Sequence, residues 1–152
     1  MTAILSEHDL HQRAASALAL LDRLAEAEGT DTGSAGDKRV ITVRANVPLD
    51  APFQRAFFEY AESYERAAPD AWRMTGYSYE YQQRPPPGRR AHHRHDPWGT
   101  HAHGVDPRDP AREDHFRDIE LDVFEAHGEF LRLYARGEPV DCAGLFPLAR
   151  ER

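Results

Sequence analysis

Two His-x-His pairs on either side of a short, turn-forming segment are the densest group of reactive side chains in the chain. The pairs are His93-Arg94-His95 and His101-Ala102-His103. Residues two apart point to the same face of a β-strand, and a loop of about five residues can fold two strands back on each other. Residues 96–100 contain both proline and glycine. We therefore predict a hairpin over residues 89–95 and 101–105 that gathers four imidazoles into one patch, with His95 facing His101.

The four imidazoles of such a patch suit a transition metal. Neutral imidazole binds Zn²⁺ and Ni²⁺, and four of these rings complete a coordination shell. Three imidazoles with the carboxylate of Asp96 leave one position open for water, as in a catalytic metal centre. The candidate metal ligands are His93, His95, Asp96, His101 and His103. A wet hairpin surface without a specific ligand is the alternative.

The same residues also suit acid–base chemistry without a metal. Imidazole has an unperturbed pKa of about 6.5, so it can donate and accept a proton near neutral pH. One imidazole would deprotonate the 2′-hydroxyl of RNA, a second would protonate the leaving oxygen, and a guanidinium would hold the phosphate. The candidate catalytic residues are His93, Arg94, His95, His101 and His103. These residues predict an RNA-cleaving or nucleic-acid-processing enzyme, with a non-enzymatic metal-binding or protein-interaction module as the alternative.

A strand over residues 72–83 is expected to position this hairpin. Tyr77, Tyr79 and Tyr81 alternate with polar residues, so the three rings lie on one face of the strand. Burial beneath helices is the favoured interpretation, and stacking on RNA bases is the alternative. A β-branched run over residues 40–47 predicts a further strand. Together with the hairpin, these runs predict an antiparallel sheet of about four strands.

Three helices are predicted to cover this small sheet. Apolar residues recur at intervals of three and four in residues 5–28, 53–68 and 116–136. We interpret the aromatic stripe of the second helix as core packing. His127 is expected in the core among apolar residues of the third helix, and His115 at the start of that helix. Short strands between helices, without β–α–β regularity, indicate an α+β fold.

The segment after the first helix has no large apolar residue. Residues 29–37 consist mainly of Gly, Ser, Thr and Asp, which predicts a flexible linker. The predicted organisation is an N-terminal amphipathic helix over residues 1–28, a linker over residues 29–37 and an α+β domain over residues 38–152. A helix on such a linker would be the least firmly attached element, and its apolar stripe would complete a homo-oligomer interface.

The composition limits the class of protein. A chain of 152 residues suits one domain, and a net charge of −7 argues against a general nucleic-acid coat. Arg84, Arg89, Arg90 and Arg94 nevertheless make the hairpin locally cationic. The lone Cys142 excludes an internal disulfide framework and indicates a cytoplasmic protein. No apolar stretch is long enough to span a membrane.

An aromatic strand, an Arg-x-Asp motif and a His-rich strand follow one another before the last predicted helix. They are Tyr77-Ser78-Tyr79-Glu80-Tyr81, Arg94-His95-Asp96 and the strand with His101 and His103. Over about residues 77–135 this order resembles the TumE family of toxins from bacterial and archaeal toxin–antitoxin modules. The resemblance implies a growth-inhibiting toxin neutralised by a helix-turn-helix antitoxin. The positions that carry over are Arg94, Asp96, His101 and His103, while His95 stands where the family has an aromatic residue and Pro97 where it usually has Asn.

Overall fold

One antiparallel sheet and two helices form the part of the chain that the computed structural model describes. The described residues are 4–51, 53–85, 90–96, 99–105, 113–117 and 121–136, with side chains described for 4–51, 53–85, 90–95 and 121–135. The elements in chain order are β1 (Ile4–Leu5), α1 (Glu7–Asp22), β2 (Ala27–Asp31), β3 (Lys38–Pro48), β4 (Arg55–Ala68), β5 (Ala71–Arg84), β6 (Arg90–Asp96), β7 (Gly99–Val105), β8 (Glu113–Arg117) and α2 (Val123–Arg136). The predicted α+β class is confirmed, but the described residues form eight strands rather than about four.

The sheet is a meander in which each strand from β2 onwards pairs with the next strand along the chain. The order is β2-β3-β4-β5-β6-β7-β8, and every pair is antiparallel. β6 pairs with residues 77–82 of β5, and the short β1 pairs with residues 72–73 of the same strand. β4 pairs along one edge of β5, so β1 and β6 share the opposite edge at different residues.

Residues 55–68 form a strand where the sequence analysis predicts a helix. Phe57, Tyr60 and Tyr64 fit a helical repeat, but aromatic residues also favour strands, and here β3 and β5 supply partners on both sides. The prediction of a helix over residues 53–68 is therefore wrong. The buried side chains of β4 follow the period of two and are Ala56, Phe58, Tyr60 and Tyr64.

The N-terminal helix is shorter than predicted and packs firmly on the sheet. α1 begins after Ser6, whose side chain accepts a hydrogen bond from the Asp9 amide at 3.1 Å. Leu10 and Leu21 of α1 are completely buried. The chain then forms β2 over Ala27–Asp31, so the first part of the predicted linker is a strand paired with β3. The expectation of a loosely attached helix on a flexible linker is wrong.

The segment after α1 has no large apolar residue, and Arg39 anchors it to the rest of the protein instead. Its guanidinium donates to the carboxylate of Asp31 at 2.8 and 2.6 Å and to that of Glu7 at 2.8 and 2.7 Å. These hydrogen bonds lower the pKa of both carboxyl groups. The same guanidinium lies 5.2 Å from the centroid of the Trp72 ring, and Arg39 is 2% exposed. An ion-pair network centred on the buried Arg39 therefore ties α1, β2 and β3 together.

The last helix begins later than predicted because a strand precedes it. β8 covers Glu113–Arg117, so that Phe116 lies in this strand, and α2 begins at Val123 rather than at residue 116. Within the described residues, neither helix is long and apolar enough to cross a membrane. The buried apolar side chains of α2 are Val123, Ala126, Phe130 and Leu133.

The inner face of the sheet is rich in tyrosine and packs beneath the helices. Tyr77, Tyr79 and Tyr81 are at most 5% exposed, which confirms the prediction that their shared face is buried. Phe130 of α2 stacks on Tyr81 with ring centroids 6.0 Å apart. These rings lie on the face of the sheet that solvent does not reach.

Glu62 joins α1, β4 and β5 within this core. Its carboxylate accepts hydrogen bonds from the Arg13 guanidinium at 2.9 and 2.8 Å, from the Tyr64 hydroxyl at 2.9 Å and from the Tyr79 hydroxyl at 2.6 Å. Burial and the neighbouring carboxylate raise the pKa of both tyrosines. The Glu62 side chain is 12% exposed, so these four hydrogen bonds replace most of its hydration.

Arg13→Ala is expected to lower the free energy of unfolding by about 3 kcal/mol, because it leaves the Glu62 charge nearly buried without its partner. The matched control is Arg44→Ala on the outer face, where Arg44 is 43% exposed beside Glu28 and Glu59. This change should cost less than about 1 kcal/mol. Urea denaturation followed by circular dichroism measures both values, and equal losses would contradict the special role of Glu62.

Candidate functional site on the outer face of the His-rich hairpin

The His-rich segment forms a hairpin, as predicted. β6 and β7 are antiparallel and pair from Arg90 opposite Val105 to Asp96 opposite Gly99. The connecting residues 97–98 lie outside the described part of the chain. β6 also pairs with β5 and β7 also pairs with β8, so the hairpin is continuous with the rest of the sheet.

The register of this hairpin divides the histidines between the two faces of the sheet. Directly paired residues of antiparallel strands share a face. His103 is paired with His92, and His101 is paired with Arg94, whereas His95 is paired with Thr100. The prediction that His95 faces His101 is therefore wrong. The predicted patch of four imidazoles is also wrong, because the two His-x-His pairs occupy positions on opposite faces.

The reason for this difference is the length of the turn. The sequence analysis assumes a five-residue connection over residues 96–100, but strand pairing continues to Asp96 and resumes at Gly99. This shifts the register by one residue. Because side chains alternate along a strand, a shift of one residue moves a complete set of side chains to the other face.

His93 and His95 belong to the inner face. His93 is fully buried, and its ring centroid lies 5.7 Å from that of Phe130. Burial, with a smaller contribution from the nearby His92, lowers the pKa of His93 to about 3, so the imidazole is neutral. The His95 ring stacks on Tyr77 at a centroid distance of 6.0 Å. The structure therefore does not bring these two histidines together with the pair in β7.

His127 lies in the core, as the sequence analysis predicts. It is 5% exposed, and its Nδ1 atom is 2.7 Å from the hydroxyl of Tyr60. Burial lowers the pKa of His127. The hydrogen bond links α2 to β4 across the core, which is a structural role.

A first row of polar residues crosses the outer face from β5 to β8. Strand pairing sets side by side Glu80, His92, His103 and His115. His92 is 8% exposed, and its Nε2 atom lies 2.7 Å from the hydroxyl of Ser78. The Glu80 carboxylate is 3.3 Å from Nε of Arg90. Three successive strands thus contribute histidine at one level of the sheet.

A second row lies two residues away on the same face and contains two arginines. Strand pairing sets side by side Ser78, Arg94, His101 and Arg117. Sequence reasoning missed His115 and Arg117 because it assigned them to the start of a helix. Phe116 is the single apolar residue of Glu113–Arg117, so no period-two alternation marks this strand in the sequence.

Metal ligands are not grouped in the part of the chain with described side chains. Within residues 4–51, 53–85, 90–95 and 121–135, no cluster of three His, Cys, Asp or Glu could hold a metal ion. The five ligands proposed from the sequence do not share a face, since His93 and His95 lie inward and positions 101 and 103 outward. That ligand set is therefore not one site.

The free energy of unfolding is expected to decrease as the pH falls from about 6.5 towards 5. The unfolded chain takes up a proton at His93 near pH 6.5, whereas the folded protein holds this imidazole neutral down to about pH 3. The stabilisation is fully present above pH 6.5, and His93 alone removes about 1.4 kcal/mol per pH unit below it. Glu7 and Asp31, whose pKa values are lowered from 4.5 and 3.8, act only at lower pH.

Urea denaturation at several pH values measures this slope. His93→Gln should reduce the slope by about 1.4 kcal/mol per pH unit between pH 6 and 5, because glutamine does not titrate. His8→Gln, at an exposed position of α1, is the matched control for the substitution of histidine by glutamine. An unchanged slope in His93→Gln would mean that His93 is protonated in the folded protein.

Comparison with known proteins leaves the chain without an assigned relative. No family model, curated protein or solved structure matches it. The resemblance to the TumE toxins therefore stays a prediction from the residues that carry it. The function has to be argued from the arrangement of residues on the outer face.

Proposed function

We propose that the outer face of β6, β7 and β8 binds RNA and cleaves it by acid–base catalysis. The observation that carries this proposal is the strand register, in which Arg94 and Arg117 flank His101. His103 follows two residues further along β7, on the same face. Two imidazole residues and two guanidinium residues at neighbouring positions are the groups that metal-free cleavage of a phosphodiester requires.

The proposed reaction uses His101 and His103 as the proton-transfer pair. One imidazole removes the proton of the 2′-hydroxyl, and the 2′-oxygen forms a bond to phosphorus. The bond from phosphorus to the 5′-oxygen of the next nucleotide breaks, and the second imidazole protonates this leaving oxygen. The products are a 2′,3′-cyclic phosphate and a free 5′-hydroxyl. Arg94 and Arg117 hold the non-bridging oxygens, whose charge the two-pronged guanidinium matches.

The charge distribution supports an anionic substrate at this face. The chain as a whole carries a net charge of −7, which disfavours general binding of nucleic acid. Arg90, Arg94 and Arg117 occupy outer-face positions of β6 and β8, and Glu80, Asp96 and Glu113 occupy further positions of the same face. The second row contains Arg94 and Arg117 and no acidic position, which favours a short contact with a few phosphates and a modest dependence on salt.

The resemblance to toxin–antitoxin toxins agrees with this proposal in one respect. The four positions that carry over from the family occur at outer-face positions of one hairpin: Arg94, Asp96, His101 and His103. A toxin-like RNase would act in the cytoplasm and be neutralised by an antitoxin protein. This partner, the cytoplasmic location and the homo-oligomer formed through α1 stay predictions.

Cleavage of a fluorescent single-stranded RNA by the purified full chain tests the proposal. We expect cleavage that continues in EDTA, has a bell-shaped pH profile and yields 2′,3′-cyclic phosphate ends. An oligonucleotide with 2′-deoxyribose throughout should remain intact, because it lacks the nucleophile. His101→Ala should lower the cleavage rate by at least 100-fold, since a positioned acid or base contributes about 10²–10⁴-fold.

Two further variants make this experiment specific to the second row. Arg94→Lys keeps the charge but removes the two-pronged contact, so it should lower the rate about tenfold. His8→Ala, at an exposed position of α1, should leave the rate unchanged. Cleavage of the all-deoxy strand, or equal activity of His101→Ala and the parent protein, would refute the proposed mechanism.

A further inference from the structure

Three histidines at one level of three neighbouring strands form a second arrangement on the outer face. In the first row, His92 of β6 pairs with His103 of β7, which pairs with His115 of β8. Neighbouring strands lie about 4.8 Å apart, so the two outer residues are separated by about 10 Å at their Cα atoms. His103 lies midway, so strand pairing sets three histidine positions within about 10 Å of one another.

Imidazole chemistry identifies the class of ligand. Neutral histidine is a preferred ligand of divalent zinc and nickel, and three protein ligands leave a position for water or substrate. The fourth member of the row is Glu80, but its carboxylate already forms an ion pair with Arg90 at 3.3 Å. The three histidines are therefore the candidate ligands, and Glu80 occupies the neighbouring position in β5.

A hydroxyl group already orients one of the three histidines. Nε2 of His92 lies 2.7 Å from the Ser78 hydroxyl, and His92 is 8% exposed. Metal-bound histidines characteristically use one ring nitrogen for the metal and the other for a hydrogen bond that fixes the ring. The contact with Ser78 is of this second kind, which makes Ser78 a positioning residue.

We infer that His92, His103 and His115 bind one divalent transition metal ion, Zn²⁺ or Ni²⁺, on the outer face of the sheet. This ligand set differs from the one suggested by the two His-x-His pairs, and it includes two histidines to which those pairs give no role. Metal binding does not depend on the proposed RNase activity. One consequence does rest on that activity: an ion bound to His103 removes this imidazole from proton transfer and inhibits cleavage.

Calorimetric titration of the full, chelator-treated chain with ZnCl₂ or NiCl₂ alone tests the site. We expect one ion per chain and an at least tenfold weaker affinity in His115→Ala, with Ser78→Ala weakened about tenfold because the His92 ring is no longer fixed. His8→Ala and His11→Ala change exposed histidines of α1 and should bind like the parent. Circular dichroism checks that each variant keeps its fold.

Cobalt provides a readout that a change in stability would not produce. Co²⁺ in a three-histidine site should give visible absorption bands, which His115→Ala should lose while its circular dichroism spectrum is unchanged. Parent-like affinity in His115→Ala, or several weak ions per chain instead of one, would overturn the inference.

Cleavage assays then address the consequence: Zn²⁺ should lower the rate of the parent, and His115→Ala should relieve this inhibition. Metal binding without cleavage would refute the proposed function and leave the metal site intact.

Discussion

A nearly buried carboxylate links α1 to the middle of the sheet. Glu62 projects from β4 into the core, where it accepts hydrogen bonds from Arg13 of α1 and from Tyr64 and Tyr79 of the sheet. A carboxylate in this position is tolerated only because it has a charged partner and further donors. Two tyrosine hydroxyl groups of the inner face, those of Tyr64 and Tyr79, use this anion as their acceptor. α1 is thereby fixed to the middle of the sheet.

The two faces of the hairpin have different surroundings. On the inner face, His93 is a neutral core residue against Phe130, and the low dielectric surroundings keep it neutral. On the outer face, Arg94 and the histidine positions of β7 lie away from the core. The sheet places His93 and His95 on one face and the positions of His92, His101 and His103 on the other. A cluster that looks continuous in the sequence is thus two groups in the fold.

Sequence patterns predicted the class of the fold and the hairpin, but not the register or β4. Tyr77, Tyr79 and Tyr81 alternate with polar residues, which is the pattern of a strand with one buried face. The structure confirms that the three side chains are buried. The aromatic residues of β4 satisfy both a helical and a strand repeat, so that only pairing with β3 and β5 decides between them. Arg39 could not be recognised as an anchor, because its partners Glu7 and Asp31 are distant in sequence.

The close pairing of Asp96 with Gly99 makes the length of this turn more important than its composition. Two residues, 97 and 98, separate the paired strands. Insertion of one residue there, with β6 and the strand pairing held in place, would set Thr100 and Ala102 at the outer-face positions of His101 and His103. A single inserted or deleted codon at residues 97–98 would therefore remove both histidines of β7 from the outer face without altering either of them.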